Sequence, residues 1–160
     1  MGRPLPAAGL ITAVSRDTAA TDAFRSAARA YFIYGLVYLL GGLYLVTHGV
    51  GARGSRLASG AEWGLLGAVL LLGIPYLLWR RRAWFERWVL TRRDFARVLS
   101  AFMAVRAWAM LRVVLRAETA TVPTPWGGEF TFRAGAAVFF VVTVVALVFV
   151  ARAGWQRETA

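Results

Sequence analysis

Residues 94–116 read DFARVLSAFMAVRAWAMLRVVLR, a stretch that is long and apolar enough to cross a bilayer although it carries four arginines. A spanning helix would place Arg106 near the middle of the hydrocarbon. There an arginine costs about 2.5–3.5 kcal/mol on insertion scales unless another group receives its charge. The identity of that receiving group is the main functional question that this sequence raises.

The composition of the whole chain agrees with membrane insertion. Of its 160 residues, 59% are hydrophobic and only 17% are charged, which is too apolar for an ordinary soluble domain. About 20 residues are needed for each helical crossing, so the length allows four crossings with short loops. We therefore predict an all-α integral membrane protein, a four-transmembrane-helix bundle with crossings at about 30–48, 61–79, 94–116 and 134–150.

The segments outside the crossings are short. Residues 1–20 contain two prolines and should form a flexible N-terminal tail, with a helix beginning at Thr21. Residues 21–152 would then form one membrane domain, and 153–160 a C-terminal tail. No catalytic or ligand-binding soluble domain fits into these lengths.

Two connections carry recognisable patterns. Residues 80–93 mix arginine with tryptophan, which is typical of a short interfacial helix that faces lipid phosphates with its charges and the acyl boundary with its rings. Residues 119–122 and 129–132 flank prolines and a Gly-Gly pair, which predicts a small hairpin between the third and fourth crossings. The predicted lipid anchors of the interfacial helix are Arg80, Arg81, Arg82, Trp84 and Trp88.

Small residues indicate where helices approach one another. Glycines recur every seven residues along the first crossing and form one seam, and a small-xxx-small pair lies in the second crossing. Pro75 removes a backbone donor and should kink the second crossing near its end. The predicted packing positions are Gly35, Gly42, Gly49, Gly64 and Ala68.

Arginine counts predict the orientation. All 19 basic residues are arginine, and in the four-crossing arrangement thirteen lie on the side of the termini against four on the other side. Positive charge is enriched in cytoplasmic segments. We therefore expect a multi-pass protein of the inner membrane with both termini in the cytoplasm.

A competing arrangement makes residues 80–116 one long interfacial helix and leaves three crossings. An interfacial helix should gather its charges on one face. At about 100° per residue, Arg106 lies roughly opposite Arg97, with Arg112 and Arg116 between the two directions. Because apolar residues surround these arginines on all sides of the helix, the pattern favours a crossing helix inside a protein assembly.

No carboxylate at its own depth is available to Arg106, because none of the eight acidic residues lies within a predicted crossing. Tyr38 lies at a comparable depth in the first crossing and can offer its hydroxyl or its ring face. Weaker candidates are Ser100, Thr143 and the carbonyl freed by Pro75. Outside the chain, a partner's carboxylate, a lipid headgroup, an anionic cofactor or a transported anion could pair with Arg106. Alternatively, the Arg106 side chain extends to water and has no specific partner.

The remaining conspicuous residues have ordinary interpretations. His48 is the single histidine and lies at a predicted membrane–water interface. Because it has no second histidine or cysteine ligand beside it, a metal or haem site is not indicated. Tyr31, Tyr34 and Tyr38 share one helix face, which favours packing over a cofactor site. With no cysteine, no lysine and no paired carboxylates, the chain offers no catalytic set. The net charge of +11 comes from arginines, most of which lie beside apolar runs of the sequence. We therefore predict lipid rather than nucleic acid as the anionic partner.

Three functional hypotheses remain. The first is a non-catalytic accessory subunit of a respiratory, photosynthetic or transport assembly, in which Arg106, Arg112, Tyr38 and His48 contact a partner, lipid or anion. Any lipid, pigment or quinone would then be shared with partner subunits, since this chain alone indicates no cofactor. The second is a small homo-oligomeric anion channel or transporter lined by Arg106 and Arg112. The third is a scaffold that binds anionic lipid through residues 80–93.

Overall fold

The structure is a computed structural model that describes residues 7–47, 65–80, 86–87, 90–116, 121–124 and 127–156. The described residues form four helices and one two-stranded hairpin. Three of the helices contain segments long and apolar enough to cross a membrane, namely Thr21–Tyr44, Arg92–Leu115 and Phe132–Trp155. The elements in chain order are α1 (Ala7–Thr47), α2 (Leu65–Trp79), α3 (Arg92–Leu115), β1 (Thr121–Pro123), β2 (Glu129–Thr131) and α4 (Phe132–Trp155).

Helix α1 begins earlier than the sequence analysis predicted. A flexible tail over residues 1–20 was expected, but the helix starts at Ala7 and continues through Thr21 without a break. The reason is local: residues 7–23 are rich in alanine, the strongest helix former, and both prolines of the tail precede Ala7 in the sequence. At about 1.5 Å per residue, residues 7–20 add about 21 Å of helix before the apolar segment.

Helix α2 responds to Pro75 by widening. Residues Ala68–Gly73 form a π-helical segment, in which the Ile74 N–H donates to the carbonyl of Val69, five residues back. A proline ring clashes with the carbonyl four residues earlier in an α-helix, and a wider turn relieves that clash. The predicted disturbance at Pro75 is therefore present, as a π segment that ends directly before an α-helical turn at Ile74–Trp79.

The four helices alternate in direction. Gly67 of α2 approaches Leu39 of α1, while Trp79 at the other end of α2 approaches Arg29, so α2 runs antiparallel to α1. Helix α4 runs antiparallel to both α1 and α3, and it packs along both of them. Helix α3 is parallel to α1 and meets α2 only near their ends.

This arrangement bears on the alternative of a long interfacial helix over residues 80–116. Helix α3 packs lengthwise against α4 within the bundle and does not lie across its end. Its buried positions recur at Ala96, Ser100, Met103 and Ala107, which is one face of a helix. The predicted third crossing is therefore a bundle helix. Of the interfacial helix predicted over 80–93, half of the residues are described: residues 86–87 are helical, residues 90 and 91 are not, and Arg92 and Arg93 already belong to α3.

The helix ends agree with their local sequence signals. Thr91 caps α3, since its hydroxyl oxygen accepts from the Asp94 N–H at 3.1 Å and its hydroxyl donates to the Asp94 carboxylate at 2.6 Å. Thr131 caps α4 in the same way, accepting from the Ala134 N–H at 3.3 Å. The hairpin before α4 is antiparallel, with Val122 opposite Phe130, close to the predicted position.

Candidate functional site

The candidate site is built on the tyrosine face of α1. Tyr31 and Tyr34 are almost fully buried, and Tyr38 is half-buried one turn further along. The Tyr34 and Tyr38 rings stack with centroids 6.3 Å apart, and Phe139 of α4 meets both rings edge-on at 6.1 and 5.5 Å. Such geometries are the preferred ones for aromatic pairs, so these rings form one ordered cluster between α1 and α4.

Arg106 of α3 is received by this cluster. Its Cζ lies 4.3 Å from the centroid of the Tyr38 ring, well inside the range of a cation–π contact. Its charge also acts on the nearby hydroxyls of Tyr31 and Tyr34. The contact between Arg106 and Tyr38 that depth alone predicted is therefore present, and the ring face makes it.

The interaction of Arg106 is only partly satisfied. Its Nε is buried and has no hydrogen-bond partner among the described residues. Two ion pairs between described residues, Arg25 with Asp22 and Arg97 with Asp94, each lie within one turn of their own helix, and neither involves Arg106. Because the residue as a whole remains partly exposed, an anionic group from outside the described chain can approach its uncovered side.

Two of the three weaker receivers considered for Arg106, Ser100 and Thr143, are occupied elsewhere. The buried Ser100 hydroxyl donates to the Arg97 carbonyl at 2.7 Å, and the buried Thr143 hydroxyl donates to the Phe139 carbonyl at 2.7 Å. Both are bonds within the residue's own helix, which is the usual way that a hydroxyl is satisfied in an apolar helix. Among the described residues, the Tyr38 ring and the Tyr34 hydroxyl are thus the contacts of the Arg106 charge.

A second arginine of α3 makes a similar contact with an aromatic ring of α1, about four helical turns away from Arg106. The Arg92 guanidinium lies over the Phe24 ring at 4.0 Å. Phe24 and Tyr38 are fourteen residues apart on α1, as are Arg92 and Arg106 on α3. The two contacts therefore bridge α1 and α3, which run parallel, at two levels about 21 Å apart along the helices.

Arg92 also closes the end of α2. Its Nε donates to the Leu78 carbonyl at 2.8 Å, and its Nη2 donates to the Leu78 carbonyl and, at 2.9 Å, to that of Trp79. The last carbonyls of a helix have no partner within the helix, so a guanidinium placed there satisfies them. A single side chain thus joins α1, α2 and α3 at one end of the bundle.

Arg92 was not among the predicted site residues. It lay within a run of arginines assigned to the membrane interface, and nothing local distinguishes it from Arg93. The fourteen-residue spacing to Arg106 was the available signal, since it equals the spacing between Phe24 and Tyr38 and therefore repeats the same pair of helix faces. The carbonyl acceptors could not be predicted, because they depend on where α2 ends.

Two of the glycines predicted to form a packing seam on α1 lie within the described residues. Gly35 is buried, and a Cβ at this position would lie 3.1 Å from the Leu70 carbonyl oxygen of the π segment. Gly42 lies in α1 and is half-buried, whereas Ala68 is exposed among the described residues. Gly49 and Gly64 lie outside the described residues. Gly154, which the sequence analysis did not single out, is the close-approach point of α4, with Arg97 and Ala96 of α3 against it.

Other predicted site residues are separated from Arg106. Arg112 lies about 120° around α3 from Arg106, on an exposed face that includes Phe102 and Val105. Arg80 follows the end of α2 and is exposed. Its neighbours in the proposed lipid anchor, and the single histidine, lie outside the described residues: Arg81, Arg82, Trp84, Trp88 and His48.

The described arginines are concentrated at one end of the bundle. This end is formed by the start of the packed part of α1, the ends of α2 and α4, and the start of α3. It carries Arg25, Arg29, Arg92, Arg97 and Arg152. The described arginines near the opposite end are Arg112, Arg116 and Arg133. The asymmetry counted in the sequence is thus also an asymmetry of the folded bundle.

Comparisons with known proteins add no assignment, and no metal centre is indicated in the part of the chain that the structure describes. Within the described residues, no group of three or more histidine, cysteine, aspartate or glutamate side chains could hold a metal ion. No family model matches the chain, and no curated protein or solved structure shows significant similarity to it. Functional inference therefore rests on the site itself.

Proposed function

We propose that this chain is a non-catalytic accessory subunit of a larger membrane protein complex, inserted in the inner membrane with both termini in the cytoplasm. Three described helices have the length and apolarity of membrane spans. The arginine-rich end of the bundle would face the cytoplasm, since positive charge is enriched there. The same end carries the start of the packed part of α1 and the end of α4, which supports termini on one side.

The observation that carries the proposal is the incomplete satisfaction of Arg106. Tyr38 covers one face of the guanidinium, yet Arg106 stays partly exposed and forms no ion pair with a carboxylate among the described residues. A charge that is held inside an apolar assembly normally has a charged or strongly hydrogen-bonding partner. A partner carboxylate fits this requirement, as does a lipid or an anionic cofactor shared with a neighbouring subunit.

The alternative of an anion channel receives less support from the arrangement of the helix. Arg106 is turned toward the α1 cluster, whereas Arg112 lies on the exposed face of α3. Two arginines about 120° apart on one helix do not line one path within a single chain. A path shared between several copies would need α3 faces from different chains.

Purification in mild detergent from the native membrane, followed by mass spectrometry, tests the proposal. The tagged wild-type chain should co-elute with different polypeptides, and Arg106→Leu should reduce their recovery while Arg106→Lys reduces it less. Arg133→Gln, at the opposite end of the bundle, is the matched control and should leave recovery unchanged. A single polypeptide that forms a homo-oligomer and passes anions in liposomes would contradict the accessory role and support the channel.

The Arg106→Leu variant is suitable because it should still fold. It leaves no unpaired buried charge behind, and the cation–π contact that it removes contributes only about 1–2 kcal/mol. Loss of partners from a folded variant would then report on association. Loss of the fold itself would appear as aggregation in size-exclusion chromatography. It would show that Arg106 contributes to the stability of the bundle and not to association with partners.

A further inference from the structure

A shallow groove runs between α1 and α4 on the outside of the bundle, away from Arg106. Its volume is about 360 Å³. Helix α1 lines it with Ser26, Arg29, Ala30 and Ile33, and α4 lines it with three valines and Phe149. Apart from Ser26 and Arg29, which both lie at one end, every lining side chain is apolar.

The polar end of the groove is positively charged. Arg29 is exposed, and its described contact is the Trp79 ring at 6.0 Å. Arg152 is exposed on α4 one turn beyond Phe149, so it flanks the same end. Asp22 also lies near this end, but it is paired with Arg25 at 3.4 Å. The local sum of these four charges is positive, which favours an anionic occupant.

The length of the groove matches one leaflet of a bilayer. Residues 26–33 of α1 extend over about 10 Å, and residues 141–149 of α4 over about 12 Å. One leaflet contributes about 15 Å of hydrocarbon. An acyl chain that begins beside Arg29 would therefore follow apolar side chains for most of its depth.

From this combination we propose that the groove binds one anionic phospholipid, with an acyl chain along Ala30 and Ile33 and the phosphate beside Arg29. Arg29 provides the charge, Ser26 provides a hydroxyl donor, and Arg152 adds to the positive field. The site differs from the interfacial segment 80–93, to which lipid contact was first assigned. It requires insertion in a membrane but does not require an accessory role, so the two proposals can fail separately.

Native mass spectrometry of the whole protein tests the site. The chain is reconstituted in nanodiscs that contain equal amounts of phosphatidylglycerol and phosphatidylcholine and is then released with its retained lipid. One phosphatidylglycerol per chain should be retained in preference to phosphatidylcholine. Arg29→Gln should lower its retention about fivefold, which corresponds to one arginine near an anionic surface.

A second pair of variants separates the apolar groove from the charge. Ala30→Trp fills the groove and should also displace the lipid, whereas Ala101→Trp, at an exposed position of α3, should not. Arg133→Gln serves as the charge control. Equal retention of the two lipids, or unchanged retention in both Arg29→Gln and Ala30→Trp, would overturn the proposal. A dimer that loses its interface in Ala30→Trp would also overturn it, by showing that a second copy occupies the groove.

Discussion

The contact between Arg106 and Tyr38 can be measured as a coupling free energy. Replacing Tyr38 by Leu removes the ring face that lies 4.3 Å from the guanidinium carbon. In the wild-type background this change loses both ring packing and the cation–π contact. In the Arg106→Leu background it loses ring packing alone, so the difference between the two costs isolates the contact.

The expected magnitude follows from the burial of the pair. Cation–π contacts contribute about 0.5–1 kcal/mol at exposed sites and about 2 kcal/mol when desolvated. Tyr38 is half-buried and Arg106 is partly buried, so the coupling should be about 1–2 kcal/mol. This corresponds to roughly a 5- to 30-fold change in the unfolding equilibrium constant.

Reversible unfolding in detergent micelles, or steric trapping in bicelles, provides the four free energies of the cycle. Tyr38→Phe is the matched variant, because it keeps the ring and removes only the hydroxyl. It should retain most of the coupling. A coupling below about 0.5 kcal/mol, which is within the usual limit of additivity, would refute the assignment of Tyr38 as the receiver of the Arg106 charge.

Two further predictions concern helix packing and helix ends. Gly35→Ala should destabilise the bundle by about 1–3 kcal/mol, because its Cβ would lie 3.1 Å from a backbone oxygen that cannot move freely. Gly41→Ala, which meets nothing within 4 Å, should be neutral or stabilising through helix propensity, and equal effects of the two changes would contradict the close approach. Arg92→Gln should cost about 2–3 kcal/mol of unfolding free energy, because hydrogen bonds to charged groups contribute about 1.5–3 kcal/mol. Arg133→Gln is the control for that measurement, and an equally small effect of both would show that Arg92 does not hold the end of α2.

The sequence predicted the helical features that depend on periodicity and depth. The contact of Tyr38 with Arg106 is one of these, since each residue lies near the middle of its apolar segment and each faces inward on its own helix. The hairpin between the last two helices is another, because Pro, Gly and β-branched residues have local preferences that tertiary packing did not change here.

Features that depend on tertiary geometry were missed or misplaced. Arg92 could not be distinguished from its neighbours, because its acceptors exist only once α2 ends beside α3. The early start of α1 was not predicted, because Pro4 and Pro6 indicate a loop although the alanine-rich segment that follows them favours a helix. The π segment before Pro75 was expected only as a kink, since the direction in which a helix relieves a proline clash is set by its neighbours.

The most direct test of the account is whether α3 crosses the membrane, since the position of Arg106 depends on it. The chain has no cysteine, so single cysteines can be introduced without a background signal. Leu90→Cys lies before α3 and Thr121→Cys lies in the hairpin after it, both at exposed positions. In sealed vesicles, an impermeant thiol reagent added outside should label one of the two and not the other, with the pattern reversed in inverted vesicles. Labelling of both positions from the same side would contradict a crossing α3, and with it the placement of Arg106 in the membrane interior.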